Sequence, residues 1–485
     1  MHERTLSQKL AAFAIASNFN ALPPDVVGSV RARVLDILGI CYAATALDTS
    51  KAATDWVKSQ GGAQQANGIG LVQKVPAAQA AFINGTLAHS LDYDDTHLPS
   101  VLHPSASVIP AALAAAQSTG ASGRETIAAI AVGIEVCVRI GMAGFDRATG
   151  NSTYFEHGQH ATSICGALGS AVAAGLILGL KEAQLVDALG VAASLSSGII
   201  ESNRTGGTVK RIHCGWAAHS GVIAAQLAQR GITGPPTVLE GRFGFFQAWL
   251  HGNFNPNEVS DGLGSAWSVP GIFFKPYPSN HFTHSGIDAA LKLRSDGMRP
   301  EDIEAVDIGV ATPTVRTIGE PIEVKRTPQT GYMAQFSAPF TFAAALHGGG
   351  GLGLSLDDFS EERANDPTLR KFMNRITVSA NAECDIIFPH QFPAVVRVRT
   401  TDGRELVTKV LTNRGGTERP LSIKDLSVKF SNNASRVLKR SAVTHVQEAV
   451  ARLQELTDMS PLLDRNLIQS PTPANESILK EPHDA

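Results

Sequence analysis

The sequence is poor in cysteine and aromatic residues and carries little net charge, and each of these features excludes a class of protein. Among 485 residues there are five cysteines, and the formal net charge is −3. Aromatic residues make up 6% of the chain, too few to suggest the stacking platforms that bind single-stranded nucleic acid. Because the sequence also has no long basic run, a phosphate-neutralising surface is not expected. We therefore expect no nucleic acid among the partners of this chain.

The five cysteines are far apart, and none forms a C-x-x-C pair. Their odd number and wide spacing argue against a disulfide framework or a structural zinc site, and fit a reducing compartment. The first ten residues lack the basic region followed by an apolar stretch that is typical of a signal peptide. The apolar stretch Ala161–Leu180 has no basic flanking anchors, which favours a buried helix over a membrane span. These features predict a cytoplasmic protein without a membrane partner.

A chain of 485 residues is longer than one hydrophobic core usually serves, so two structural units are expected. From about Leu6 to Leu250, apolar residues recur at intervals of three and four, a pattern that predicts successive helices. The 45 glycines, together with many alanines, indicate helices that pack closely through small side chains. The helices predicted in this part are Val30–Tyr42, Ala77–Leu91, Ser105–Ala116, Arg124–Ile140, Ser163–Leu180, Glu182–Leu195 and Ala217–Ala228.

The pattern changes after about Pro270, where apolar and polar residues begin to alternate. Ile303–Val310 and Ala394–Thr400 are predicted strands, and a turn at Thr401-Asp402-Gly403 after the second strand predicts a hairpin. A helix is predicted between the two strands, at Phe336–Leu346.

These changes of pattern divide the chain into four parts. Residues 1–270 form the first part of a helical domain, 271–414 form a small α+β domain, and 415–468 return to the helical domain. The tail at 469–485 is rich in proline, serine and glutamate, a composition that predicts disorder.

A stretch of acidic, hydroxyl and histidine side chains follows the second predicted helix. It includes Asp92, Thr96 and His103, and loops of this kind commonly present functional groups. The alternative is structural, because Asp95 or Thr96 would then cap one helix and Ser105 would cap the next. Composition alone leaves both interpretations open.

Three further segments place histidines or lysines where an anion could bind. His160 directly precedes a predicted helix, where the dipole favours a neutral base and attracts anions; a histidine packed in a turn is the alternative. Lys210 and His213 are three residues apart and would share a helix face, whereas Arg211 would point elsewhere. Lys275 lies in an apolar segment braced by proline, which is compatible with a partly desolvated lysine or with a surface lysine beside a turn.

The sequence contains no nucleotide-binding motif. Neither a Walker P-loop nor a strand-linked dinucleotide fingerprint occurs. The glycine run after His347 is interpreted as a helix C-cap and loop, because no G-x-S-x-G elbow exists to use it as an oxyanion loop. The clusters instead supply cationic side chains, which stabilise the negative charge that builds when a proton is removed beside a carboxylate. A histidine can carry that proton.

The stretch Asn84–His97, followed by His103-Pro104-Ser105, resembles the hallmark of the MmgE/PrpD family. The resemblance continues through Gly133-Ile134-Glu135-Val136, Lys210-Arg211-Ile212-His213 and Lys275-Pro276-Tyr277-Pro278, in order along nearly the whole chain. It implies a mainly α protein, with a large all-helical domain built from both chain ends and an inserted smaller α+β lid domain. It also implies a homodimer that binds a small polycarboxylate and needs neither a metal nor an organic cofactor.

The resemblance, together with the four clusters, also assigns roles to single residues. The implied catalytic residues are His103, His160, Lys210 and Lys275, and the implied substrate-binding residues are Asp92, Thr96, His213 and His281. A lid tyrosine that some members use could be either Tyr277 or Tyr332.

The family includes decarboxylases of cis-aconitate, dehydratases of 2-methylcitrate and an epimerase of an imino-dicarboxylate. The dehydratases place an acidic residue directly after His-Pro-Ser, whereas this chain has Ala106. We therefore expect a cofactor-independent lyase that decarboxylates a cis-aconitate-like acid, with dehydration of an alkylcitrate as the alternative and epimerisation third. A metallohydrolase is the alternative from another class, although an H-E-x-x-H spacing is absent. Its metal ligands would be Asp92, Asp94, His97, His103 and His160.

Overall fold

The computed structural model describes residues 3–202 and 207–463, together with residue 467. This part of the chain is mostly helical and separates into two compact units. The first unit contains the described residues up to Ile272 and those from 433 to 463, and the second contains Phe273–Asn432. The tail that is predicted to be disordered lies outside the described residues. The lid role of the second unit stays a prediction.

Helices are the main elements of the first unit before Ile272, and each predicted helix of this part overlaps an observed one. Their bounds are α1 (Leu6–Ala16), α2 (Pro24–Ala44), α3 (Asp48–Gln60), α4 (Ala77–His89), α5 (Ser105–Thr119), α6 (Gly123–Ala143), α7 (Thr153–Glu156), α8 (Ala161–Ile177), α9 (Glu182–Leu195), α10 (His213–Gln229), α11 (Phe245–Leu250) and α12 (Pro256–Ser260).

Helix α8 is the centre of this unit. It is buried from Ala161 to Gly175 and packs against α5, α6, α9 and α10. Where α8 meets α6, a Cβ atom added to Gly133 would lie 2.7 Å from the Gly169 carbonyl oxygen, and one added to Gly169 would lie 2.5 Å from the Gly133 carbonyl oxygen. The helices therefore approach until their backbones touch, as the glycine content predicts.

Helix α6 is long and apolar enough to cross a bilayer by length and composition. This is weak evidence for a membrane span, because nearly all of the helix is buried within the first unit, as in the core helix of a globular protein.

Two predicted helix ends differ from the structure for local reasons. The helix predicted at Ala77–Leu91 ends at His89, because the Ser90 amide bonds the Leu87 carbonyl and Asp92 then takes a left-handed backbone conformation, with φ of 49°. The helix predicted to start at Ser163 starts at Ala161, because His160 already occupies the N-cap position.

The expectation of an all-helical first domain is wrong at one point. The strands β1 (Phe145–Asp146) and β2 (Asn151–Ser152) form a short antiparallel pair. The Asp146 carboxylate accepts hydrogen bonds from the Ala148 amide and the Thr149 hydroxyl at 2.8 and 3.0 Å, and Gly150 supplies a φ of 65°. This turn chemistry, which favours a hairpin, was not recognised in the sequence.

Two buried ion pairs attach the segment 261–272 to the helices of the first unit. Arg33 of α2 pairs with Asp95 at 2.6 Å and donates to the carbonyl oxygens of Val269 and Ile272. Arg139 of α6 pairs with Glu135 at 2.7 Å, and its guanidinium also donates to the Asp261 and Ala266 carbonyls. Each arginine thus donates to backbone oxygens as well as to a carboxylate.

The second unit is built on a four-stranded sheet in the order β4, β3, β5, β6. Strand β3 pairs parallel with β4 and antiparallel with β5, and β5 pairs antiparallel with β6. The strands are β3 (Ile303–Val310), β4 (Ile376–Ala380), β5 (Ala394–Thr400) and β6 (Glu405–Val410), and the helices are α13 (His284–Ser295), α14 (Thr312–Ile318), α15 (Ile322–Arg326), α16 (Gly331–Gln335), α17 (Ala338–His347), α18 (Glu361–Ala364), α19 (Pro367–Met373) and α20 (Ala382–Ile387).

The alternation of β3 explains how this unit forms its core. Val306, Ile308 and Val310 lie on one face and join a buried cluster that includes residues of α13 and α17. The two predicted strands and the β5–β6 hairpin are confirmed. The helix predicted from Phe336 starts at Ala338, because the Ser337 hydroxyl caps it by accepting from the Phe340 amide at 3.0 Å.

The chain returns to the first unit through α21 (Ile423–Ala434), and α22 (Arg440–Ala451) lies wholly within it. The sequence predicts the return at 415, whereas the structure divides the units at Asn432 and Asn433. The intervening residues stay with the second unit because Gly415 accepts from the Phe274 amide at 3.0 Å and Arg414 pairs with Asp425 at 3.1 Å.

Candidate active site

The residues predicted for the site divide between the two units. The first unit contains Asp92, Thr96, His103, His160, Lys210 and His213, and the second contains Lys275 and His281.

The loop between α4 and α5 contains three of the predicted site residues, which are Asp92, Thr96 and His103. His97 and Leu102 close the loop by exchanging backbone hydrogen bonds at 2.8 and 3.3 Å. The Asp95 carboxylate accepts from the amide and hydroxyl of Ser105, at the start of α5, and from Arg33. Pro104 is the N-cap residue of α5, so the prediction that Ser105 caps this helix is wrong. Asp95 lies before the helix and fixes the loop by accepting hydrogen bonds from its first residue.

His103 is held in one tautomer by this loop. Its Nδ1 atom lies 2.6 Å from the Asp95 carbonyl oxygen and 3.4 Å from the Thr96 hydroxyl. Because a carbonyl oxygen only accepts, Nδ1 carries a hydrogen. The Nε2 atom is therefore the nitrogen of His103 that can take up or release a proton.

His160 and His213, 53 residues apart in sequence, meet directly. Their Nδ1 atoms are 2.9 Å apart. His160 is the N-cap residue of α8 and His213 is the first residue of α10, so the contact between these two helices sets the distance. The Ser163 hydroxyl of α8 donates to the His213 carbonyl at 3.1 Å and strengthens the junction.

The surroundings of this pair favour the neutral form of both rings. Burial lowers the pKa of His160 well below its usual 6.5, and neighbouring histidines and Lys210 add to the effect. Burial, His89 and Lys210 together lower the pKa of His213 to about 4. The sequence predicts a neutral His160 from the helix dipole, whereas burial is the larger cause.

Two neutral imidazoles joined through Nδ1 must have opposite tautomers. One ring donates its Nδ1 hydrogen and keeps a lone pair on Nε2, while the other accepts at Nδ1 and keeps a hydrogen on Nε2. The pair therefore offers a base and an acid at the same time, without a net charge.

Lys210 supplies the positive charge of this cluster. It lies in a short 3-10 turn (Val209–Ile212) before α10, and its Nζ atom is 3.8 Å from Asp92 Oδ1. Both side chains are partly exposed, at 22% and 13%, so a ligand carboxylate can reach the lysine. Arg211 points elsewhere, as predicted, and donates to the Thr49 hydroxyl.

The structure adds a buried dyad of two residues that the sequence did not assign to the lyase site, although Asp94 was a predicted ligand of the metallohydrolase alternative. The Nδ1 atom of His89 lies 2.8 Å from Asp94 Oδ2, and the His89 ring centre is 5.3 Å from that of His103 and 5.5 Å from that of His160. The Nε2 atom of His89 is buried and has no hydrogen-bond partner among the described residues. Both residues belong to the recognised stretch, but the periodicity of α4 makes His89 look like an ordinary interior helix residue.

Lys275 and His281 are both buried within the second unit, at 2% and 5% exposure. The interpretation of Lys275 as a surface lysine is therefore wrong. Of the two candidate tyrosines, Tyr277 is a core residue whose hydroxyl donates to Asp288 at 2.6 Å, whereas Tyr332 is 49% exposed. The roles assigned to Lys275 and His281 stay predictions.

In the described part of the chain, no group of three or more histidine, cysteine, aspartate or glutamate side chains is arranged to hold a metal ion. His97, one of the ligands of the metallohydrolase alternative, lies with its Nδ1 atom 2.6 Å from the Ser100 hydroxyl.

Comparisons with known proteins define the class. The pattern of the MmgE/PrpD N-terminal domain matches residues 8–257, and that of the C-terminal domain matches residues 277–455. The chain is therefore a lyase, and it belongs to the MmgE/PrpD family.

Individual relatives match along almost their entire length. The chain is 27% identical to a cis-aconitate decarboxylase of Mus musculus, over 98% of this chain and 95% of that protein. It is 28% identical to one of Homo sapiens, over 97% and 96%, and 28% identical to one of Aspergillus terreus, over 91% and 92%.

Proposed function

We propose that this lyase decarboxylates a cis-aconitate-like tricarboxylate. The observation that carries the proposal is the similarity, over at least 91% of the chain, to relatives named cis-aconitate decarboxylase. The histidine cluster beside Lys210 supports it, because that site combines a cation for carboxylate binding with a neutral acid and a neutral base.

The chemistry needs only these groups. When the bond to the departing carboxylate breaks, its electron pair spreads into the neighbouring double bond and carboxylate, where a lysine ammonium stabilises the negative charge. An imidazole N–H then protonates the carbanion. No oxidation or reduction occurs, so the proposed reaction requires no redox cofactor.

The test is NMR of the purified protein with cis-aconitate, 2-methylcitrate and citrate offered separately. We expect carbon dioxide and a single unsaturated dicarboxylate from cis-aconitate and no change in the other two acids. Water loss from 2-methylcitrate would establish the dehydratase instead. With an imino-dicarboxylate offered as a fourth acid in deuterium oxide, exchange of a substrate hydrogen for deuterium without loss of a group would indicate an epimerase.

A second experiment distinguishes the proposed lyase from a metallohydrolase. We expect the decarboxylation rate to survive exhaustive dialysis against EDTA. A rate that disappears and returns with zinc or magnesium would replace the proposal with metal-dependent chemistry.

We further propose that the protein is a homodimer, as the family resemblance implies, and that it is cytoplasmic, as its widely spaced cysteines indicate. Sedimentation equilibrium of the full chain should give twice the monomer mass of 51.0 kDa, and a monomer would contradict the proposal.

A further inference from the structure

The contact between His160 and His213 is more specific than packing requires. The two rings are tilted by 43° with centres 4.9 Å apart, and the close approach joins nitrogen to nitrogen at 2.9 Å. Among the described residues, neither Nε2 atom has a protein hydrogen-bond partner. The pair therefore has one internal hydrogen bond, and the two Nε2 atoms can still exchange protons with a ligand or with water.

We propose that His160 and His213 form a two-imidazole proton relay, in which His160 gives a proton to the substrate carbanion and His213 resupplies it through the shared Nδ1 hydrogen bond. The relay rests on the proposed function for the identity of the reaction, but the hydrogen bond on which it depends can be observed without substrate.

The proton transfers balance. At the start His160 holds a hydrogen on Nε2 and accepts at Nδ1, and His213 donates from Nδ1. When the carbanion takes the Nε2 hydrogen of His160, the Nδ1 hydrogen of His213 passes to Nδ1 of His160. A proton from water then binds to Nε2 of His213, so one proton enters, one leaves, and both rings end neutral with their tautomers exchanged. After product release, water protonates Nε2 of His160, the Nδ1 hydrogen returns to His213, and Nε2 of His213 releases its proton to water, which restores the starting tautomers.

The surroundings favour transfer between neutral rings over storage of a charge. The pair faces three cationic or cationisable side chains, which are Lys210 in the turn before α10, His89 of α4 and His103 of the loop between α4 and α5. These side chains oppose a positive charge on either ring of the pair. The carboxylates Asp92 and Asp94 are already engaged by Lys210 and His89. A proton that enters the pair at one end is therefore expected to leave at the other.

Nitrogen-15 NMR of the substrate-free protein tests the hydrogen bond. At pH 7 we expect one of the two histidines to have a protonated Nδ1 and the other an unprotonated Nδ1. Two rings in the same tautomer, or one doubly protonated ring, would overturn the relay. The measurement uses the unaltered protein, so it does not depend on whether a variant folds.

The catalytic test compares His213→Asn with His213→Ala. The asparagine amide can still hydrogen-bond Nδ1 of His160 but cannot pass a proton along the chain of nitrogens. If His213 only orients His160, His213→Asn should keep most of the activity that His213→Ala loses. If His213 relays, both should lower kcat by roughly a hundredfold or more with little change in KM, and the solvent deuterium isotope effect on kcat should increase.

His219→Asn is the matched control. His219 lies on the same helix and is partly buried, with its ring stacked on Trp216 at 5.2 Å, but it is outside the cluster. Its substitution should leave kcat and the isotope effect unchanged. Wild-type kcat in His213→Asn would overturn the relay.

The proposed decarboxylation and the proposed relay can be contradicted independently of each other. A protein with opposite tautomers but no activity on cis-aconitate would retain the relay and lose the proposed substrate. A protein that decarboxylates cis-aconitate with both rings in the same tautomer would retain the function and lose the relay.

Discussion

At the scale of single residues, three aspartates that are close in sequence have three different tasks. Asp92 faces Lys210, Asp94 accepts from His89, and Asp95 accepts from Arg33 and from the start of α5. Only contacts with distant residues distinguish these tasks, because the three side chains have the same chemistry and lie within one short loop.

The task of Asp95 predicts a large effect on stability. Asp95→Asn keeps the shape of the side chain but leaves the fully buried Arg33 without its counter-charge, and breaking a buried pair from one side costs roughly 3–5 kcal/mol. Urea unfolding should show this loss in the free energy of unfolding. Asp55→Asn is the control, because Asp55 pairs with Lys58 on the exposed surface of α3 and should cost less than about 1 kcal/mol. Equal costs for the two variants would contradict a structural role for Asp95.

Lys210 predicts the opposite behaviour, with lost activity and retained stability. A hydrogen bond to a charged group contributes roughly 1.5–3 kcal/mol, so Lys210→Ala should lower kcat/KM about ten- to more than a hundred-fold. The melting temperature should hardly change, because the partly exposed side chain completes no core. The surface variant Lys181→Ala should leave both quantities unchanged. A large fall in melting temperature with Lys210→Ala would instead make the lysine structural.

The buried histidines predict a loss of stability in mild acid. In the unfolded chain a histidine binds a proton below about pH 6.5, whereas burial and Arg33 lower the pKa of folded His97 to about 4. Between these values the unfolded state binds more protons, so the stabilisation is complete above pH 6.5 and is lost as the pH falls towards 4.

Unfolding free energies measured across this range should fall with a slope of about 1.4 kcal/mol per pH unit for each such histidine. His97→Asn should lower this slope by about 1.4 kcal/mol per pH unit, because the asparagine side chain binds no proton in this range. The same slope in His97→Asn and in the unaltered protein would show that His97 does not contribute.

The sequence predicts the site residues of the first unit better than it predicts how they act. Lys210 and His213 could be placed on one face because three residues separate them. The meeting of His160 with His213 could not be predicted, since it depends on how α8 packs against α10. The His89–Asp94 dyad was missed because the last turn of a buried helix carries the same apolar pattern whether its histidine is functional or not.

At the scale of elements, the helices of the first unit are predictable because small and apolar residues recur at intervals of three and four along each of them. The strands of the second unit are predictable because their side chains alternate between core and solvent. Helix ends are less predictable, since they depend on caps such as His160 and Ser337, whose effect is local and competes with the periodicity.

The contact between α6 and α8 gives a prediction at this scale. Gly169→Ala would place a methyl group against the Gly133 carbonyl oxygen, at a distance that backbone atoms cannot accommodate without moving. Overpacking of this kind typically costs about 1–3 kcal/mol, and thermal unfolding should reveal it. Gly28→Ala in α2 is the matched control, because a Cβ there meets nothing within 4 Å, and alanine should stabilise the helix by up to about 1 kcal/mol. Destabilisation by both substitutions would show that close approach is not the cause.

At the scale of the whole molecule, residues 433–463 complete the unit that the first 272 residues begin. The Tyr42 hydroxyl donates to the Leu462 carbonyl, the Gly123 amide donates to the Leu456 carbonyl, and Arg31 donates to the Ala451 carbonyl. The final segment also buries apolar side chains, which are Leu438, Val443, Val446, Val450, Leu453, Met459, Leu462 and Leu463. The sequence predicts this return from the helical pattern after Ile423, but the point of return depends on the pairing of Gly415 with Phe274 and so could not be read from periodicity.

This division predicts which pieces of the chain fold independently. The second unit has its own sheet and its own buried cluster, so a fragment of residues 273–432 should unfold cooperatively on heating. A fragment of residues 1–272 should not, because α2 and α6 would expose the apolar surfaces and the carbonyl and amide groups that the final segment satisfies. Joining 1–272 to 433–463 through a flexible glycine-serine linker should restore a cooperative transition. Near-ultraviolet circular dichroism and calorimetry measure all three, and a cooperative transition in the 1–272 fragment alone would show that the end of the chain is dispensable for the helical unit.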